Sequence, residues 1–140
     1  MVPRWSFLLL LAAVGIATAG NLPRSVAPGG ARVYFVAPLD GETVDSPVTV
    51  RFGLVGMGIA PAGIQMSGTG HHHLLIDTAL PPLDAPMPAD AHHLHFGKGQ
   101  TEATIELAAG RHQLQLLLGD YLHVPHDPPV VSERITITVR

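Results

Sequence analysis

The chain has 140 residues, 46% of them hydrophobic, a formal net charge of −3 with histidines neutral, nine histidines and no cysteine. Its eight Lys and Arg are scattered, and Lys98 is the only lysine, so the clustered cationic footprint that nucleic acid or an anionic lipid surface requires is missing. Without cysteine, disulfides and a blue-copper centre of the His2Cys type are both excluded, and packing or a bound ion must hold the fold.

Residues 1–19 read as a secretory signal peptide: Arg4 supplies the positive end, residues 7–19 are apolar or small, and Ala17-Thr18-Ala19 has the small-x-small form of a cleavage site. The apolar run is shorter than the roughly 20 residues needed to cross a bilayer, so no stable membrane span is expected after cleavage. No cysteine follows the run to carry a lipid. The expected location is therefore periplasmic or secreted. Residues 20–30 (GNLPRSVAPGG), rich in Pro and Gly, read as a flexible spacer before a single domain over residues 31–140.

From residue 31 short β-rich runs alternate with turn residues. Residues 32–37 (RVYFVA) form the first run. In residues 48–55 (VTVRFGLV), Val48, Val50, Phe52 and Leu54 share one face, which predicts a half-buried strand. The Gly-rich residues 56–70 predict a long loop of the kind that is often functional. Residues 71–77 (HHHLLID) predict a strand, followed by a Pro-rich connection over residues 78–91. Residues 92–96 form a short extended segment, and residues 101–107 alternate with Thr101, Ala103, Ile105 and Leu107 inward. In residues 111–118, His112, Leu114, Leu116 and Leu118 share a face. A second Pro-rich stretch, residues 123–129, leads to a last strand over residues 130–139 with Ile135, Ile137 and Val139 inward. These are about seven strands with no amphipathic helix. Parallel pairing would need crossover connections, so an all-β antiparallel Greek-key sandwich follows, immunoglobulin-like or cupredoxin-like.

All histidines except His112 fall in three groups: His71-His72-His73, His92-His93-Leu94-His95 and His123-Val124-Pro125-His126. Neutral imidazole is the commonest metal-binding side chain. On a strand, residues i and i+2 face the same way about 6.6 to 6.8 Å apart, so two leaning rings can meet one ion at about 2.0 to 2.1 Å per bond. His71 with His73 and His93 with His95 have this spacing, and His123 and His126 could add ligands from a Pro-stiffened loop. The candidate metal ligands are therefore His71, His73, His93, His95, His123 and His126, and the cofactor expected is a copper or zinc ion. His72 must face the other way from its neighbours, and His112, beside three leucines, reads as structural. Met57, Met66 and Met87 lie in the loops and could add thioethers for Cu(I), although methionine commonly fills gaps in a core. Asp77, Glu102, Asp120 and Asp127 are the carboxylates available to orient ligands.

The segments GHHHLLID (70–77), HFGKGQTE (95–102) and Gly119-Asp120 with His123-Val124-Pro125-His126 resemble the bacterial family catalogued as domain of unknown function 4399. The resemblance implies a short exported protein with a histidine-rich strand, a Phe-Gly-x-Gly-Gln-Thr segment and a late Asp-x-x-His. It brings no activity, substrate or binding residues with it.

Three functions fit the sequence. The first is an exported metal-binding protein that buffers, delivers or senses copper or zinc, which requires the histidines to converge and to be neutral, so that affinity falls as pH drops through about 6.5. The second is an accessory sandwich that binds an envelope component or partner protein without metal. The third is a metal-dependent enzyme. It ranks last, because the chain contains no His-Glu-x-x-His, no Gly-x-Ser-x-Gly and no phosphate-binding glycine loop.

Overall fold

The computed structural model describes residues 22–140, and the signal peptide read from the sequence lies outside the described residues. Nine strands follow in chain order: β1 (Arg32–Ala37), β2 (Thr43–Val44), β3 (Val48–Val55), β4 (Gly58–Ile59), β5 (Thr69–Ile76), β6 (His93–His95), β7 (Glu102–Ile105), β8 (Gly110–Gly119) and β9 (Ile135–Val139). No helix occurs among the described residues, and none is long and apolar enough to cross a membrane.

The strands form a β-sandwich. One sheet has the order β1-β3-β7, antiparallel throughout. The other runs β2-β9-β8-β5-β4, with β6 on the same edge of β5 as β4. Its central pairs, β5 with β8, β8 with β9 and β5 with β6, are antiparallel, while the two-residue strands β2 and β4 pair in parallel with β9 and β5. The core between the sheets follows the period-two pattern. Val48, Val50 and Phe52 of β3 meet Leu74 and Ile76 of β5, Leu114, Leu116 and Leu118 of β8, and Ile135, Ile137 and Val139 of β9. Each such buried aliphatic or aromatic side chain contributes about 1.5–3 kcal/mol.

The sequence expectation of about seven strands falls short by β2 and β4, two-residue segments too brief to show any alternation. The Gly-rich stretch 56–70 is accordingly not one open loop, because Gly58 and Ile59 pair with Thr69 and Gly70. The last strand starts five residues later than expected. At residues 130–132 the chain already runs along β8, with Leu118 N–H donating to Val130 O (3.0 Å) and Ser132 N–H to Leu116 O (2.9 Å). The Ser132 hydroxyl, rather than a main-chain carbonyl, accepts the Leu116 N–H, and the regular ladder is interrupted there. Part of the stretch expected as a flexible spacer is docked. Ala27 N–H donates to Asp127 O, Asp127 N–H donates to Ser25 O, and the Arg24 guanidinium donates to the carbonyls of Pro125 and His126.

The feature that positions the site is the second cover on β5 and β8. An antiparallel sheet commonly leaves its outer face to water. Here Leu75 and Leu117, which point away from the sandwich core, are 1% and 0% exposed because Leu83 and Met87 from the first Pro-rich connection and Val131, just after the second, pack against them. Both faces of β5 are therefore buried from Gly70 to Ile76.

Candidate metal centre

Strand alternation sorts the three consecutive histidines of β5. His72 faces the sandwich core, with its ring 4.9 Å from that of Phe52. His71 and His73 face outward under the Pro-rich connections. β6 pairs with β5 so that His95 lies directly opposite His73. His123 arrives from the turn after β8, which ends at Gly119, the residue paired with His71, and its ring comes to 5.1 Å from that of His71.

Four imidazoles therefore share one small volume. Ring centroids lie 4.7 Å apart for His71 and His73, 5.0 Å for His71 and His95, 5.1 Å for His71 and His123, 5.1 Å for His73 and His95, 4.7 Å for His95 and His123, and 6.1 Å for His73 and His123. One ring nitrogen from each of His71, His95 and His123 lies within 4.8 Å of the other two. Three nitrogens bound to one ion at about 2.0–2.1 Å stand roughly 3.3 Å apart in a tetrahedral arrangement. The widest pair thus needs to draw in by at most about 1.5 Å, within reach of side-chain torsions. His71 is fully buried, His123 partly exposed and His95 exposed, so the cluster has a closed floor and an open rim.

The turn that presents His123 is built on Asp120. Its carboxylate, 1% exposed, accepts N–H groups from Leu122 (2.9 Å) and Val124 (3.0 Å) on Oδ1 and the Ser25 hydroxyl (2.7 Å) on Oδ2. The Asp120 carbonyl accepts His123 N–H and its own N–H donates to Val124 O, both at 2.9 Å. Within this frame His123 adopts φ of 66°. That conformation costs an L-residue roughly 1–2 kcal/mol. Strain of this kind, overdetermined by its surroundings, is commonly stored at functional sites.

The electrostatics favour the neutral form of His71, His73 and His95. Burial, reinforced by the neighbouring His123 and His95, pushes His71 down to about 4. Burial and then the other three rings push His73 down to about 2, and burial with His123 lowers His95. Asp120 pulls the other way on His71 without reversing the shift. Free lone pairs are thus present at neutral pH. Both ring nitrogens of His71 and Nδ1 of His73 are buried without a hydrogen-bond partner. Leaving such groups unpaired costs about 1–3 kcal/mol each, a cost that a bound ion would offset at the lone pairs it takes.

His71, His73, His95 and His123 are therefore brought together, whereas His93 and His126 are not. His93 does share a face with His95, as its spacing predicts, but the β5–β6 register sets it opposite Leu75 instead of a histidine, and its Nδ1 bonds Asp90 Oδ1 at 2.9 Å. His126 packs over Gly70, which faces the opposite way from His71. Its Nε2 donates to Thr69 O at 3.1 Å. His112, read as structural, bonds Asp77 Oδ2 (2.7 Å) and Ala108 O (2.8 Å). Of the four carboxylates named from the sequence, Asp120 alone braces the cluster, while Asp77 serves His112, Glu102 pairs with Arg51 and Asp127 with Arg24.

Two glycines that the sequence reading passed over make room for the rings. A Cβ on Gly119 would stand 2.7 Å from His73 Cε1 and from Met87 Cε, and the His95 ring occupies the place of a Cβ on Gly97. For Gly119 the signal is a glycine facing a histidine across the sheet, which needs the register to be known, and for Gly97 it is the His-x-Gly spacing from His95.

The chain belongs to the family described as Domain of unknown function (DUF4399), whose family model matches residues 50–140, a span that takes in β5, β6 and the His123 turn. No curated protein and no solved structure matches the chain.

Proposed function

We propose that this protein is an exported metal-binding protein that holds one copper or zinc ion among His71, His95 and His123, with His73 as the adjoining fourth imidazole. The observation that carries the reading is His71: a fully buried imidazole with neither ring nitrogen partnered, facing three more imidazoles. Outside the cluster the half-buried His112 has a partner at each ring nitrogen and His126 at one, whereas His71 has none. An all-nitrogen site favours copper over zinc in intrinsic affinity and accepts both. The exposed rim at His95 gives the ion a way in, and the apolar leader over residues 7–19 supports placing the protein outside the cytoplasmic membrane.

The test is isothermal titration of Cu(II) and Zn(II) into the protein, beside His71→Leu and His95→Ala. One ion per chain is expected, with affinity reduced at least about a hundredfold in either variant. His95→Ala alters an exposed side chain and keeps the test independent of folding. Wild-type binding that is weak and unchanged in His95→Ala would overturn the reading.

A further inference from the structure

Resting on the metal reading above, we infer that Met87 supplies a thioether ligand to the same ion and makes the site selective for copper(I). Four observations converge on Met87. Its backbone N–H donates to the carbonyl of His123 at 2.9 Å, which staples the Pro-rich connection to the turn that presents a ligand. Its terminal methyl and His73 Cε1 each stand 2.7 Å from the point a Gly119 Cβ would occupy, so the end of the methionine lies against the His73 ring on the histidine face of the sheet. With His73, His95 and His123 it lines one cavity of about 250 Å³. It is 8% exposed and packs with Leu75 and Leu117, so its side chain is held in place beside the rings.

The other two loop methionines do not share this placement. Met66 is 61% exposed and Met57 packs against the main sandwich core. Met87 is also flanked by Pro86 and Pro88, whose rings fix φ and reduce the entropy lost on holding the segment in place. The chemistry then discriminates between ions. A thioether is a soft, uncharged donor that selects Cu(I), and it carries no proton to compete with the metal. Zn(II) gains little from it and is held by the imidazoles. In a chain with no cysteine, methionine is the only soft ligand available.

Met87→Leu separates the sulfur from the packing, because the exchange nearly conserves volume where Met87 meets Leu75 and Leu117. Cu(I) affinity is measured by competition with bathocuproine disulfonate, Zn(II) affinity by isothermal titration, and the copper environment by X-ray absorption of the Cu(I)-loaded protein. The variant is expected to lose at least about tenfold in Cu(I) affinity, the low end of what removing even an outer-shell partner costs. Its Zn(II) affinity should hold, and a sulfur scatterer present in the wild type should vanish. Equal Cu(I) affinity in both proteins, or a wild-type copper spectrum without sulfur, would overturn the inference while leaving a histidine site that still takes zinc. Wild-type protein that binds none of Cu(I), Cu(II) and Zn(II) would overturn the metal reading and this inference together. The wild-type spectrum decides the matter even if the variant folds poorly.

Discussion

Histidines stand at both ends of the β5–β8 strand pair, and the two ends treat them in opposite ways. At one end His112 has an acceptor at each ring nitrogen, the Asp77 carboxylate at 2.7 Å and the Ala108 carbonyl at 2.8 Å. Both nitrogens must then donate, which is the imidazolium form, and the Asp77 hydrogen bond accordingly raises the His112 pKa against the opposing effect of burial. At the other end His71, paired with Gly119, has no partner at either nitrogen and burial drives it toward the neutral form. The difference separates two uses of one residue type. A histidine supplied with acceptors is a staple, and a histidine deprived of them while packed among other imidazoles keeps a ring lone pair that no protein group uses.

The largest expected effect that sharpens this contrast is at Asp120. Asp120→Ala leaves the buried N–H groups of Leu122 and Val124 without their acceptor and frees the turn that holds His123 at positive φ. A loss of about 3 kcal/mol is expected in chemical denaturation, together with weaker metal binding. If stability fell but metal affinity were untouched, Asp120 would brace the fold alone and not the cluster.

Gly119→Ala comes next. Its Cβ would meet His73 and Met87 at 2.7 Å, so one of them must shift, at a cost of about 1–3 kcal/mol. The substitution should also displace His73 and reduce metal affinity, whereas removal of His112 at the far end should leave affinity unchanged. A Gly119→Ala protein as stable and as tight as the wild type would mean that the glycine does not hold space for the rings.

The smallest effect is the most diagnostic of the contrast, because its sign differs between the two ends. His71, His72 and His73 have lowered values, so below about pH 6.5 the unfolded chain takes up protons that the folded chain refuses. Their contribution to stability is complete above that pH. It is lost as pH falls through 6.5 toward about 4 for His71 and His72, and toward about 2 for His73. For His112, whose value is raised, the contribution is present below the ordinary 6.5 and lost as pH rises through its folded value. Unfolding of metal-free His112→Gln should therefore differ from wild type by up to about 1 kcal/mol near pH 5.5 and by less near pH 8, the pair being screened by solvent. A difference that grew with pH would contradict the charged staple. The same lowered values move the expected acid limit of the site, because His71 and His73 remain neutral well below the 6.5 of a free imidazole.

Much of the fold was legible because it depends on local periodicity. The alternation of Val48, Val50 and Phe52 and of Leu114, Leu116 and Leu118 predicted inward faces that pack as expected. The same rule placed His71 and His73 on one face and turned His72 to the other. It failed where pairing rather than alternation decides. His93 has the right face and the wrong register, being opposite Leu75, and His126 has a ligand-like spacing but a turn that carries it over Gly70. Met87 could not be told from Met57 and Met66 as a ligand by sequence, since all three lie in connections between the longer strands and only docking shows which one meets the rings.

The sequence by itself determined the all-β class, the absence of any thiolate ligand and the supply of imidazoles, because those follow from composition and from the two-residue repeat of an extended chain. Tertiary structure alone decided which four histidines meet, since His71 and His123 stand on opposite sides of the β8 hairpin in the chain and converge only through the β5–β8 register and the turn built on Asp120. It also decided that both ring nitrogens of His71 and Nδ1 of His73 are left without partners. Two Pro-rich connections close over the outer face of the sheet and exclude the water that would otherwise satisfy them.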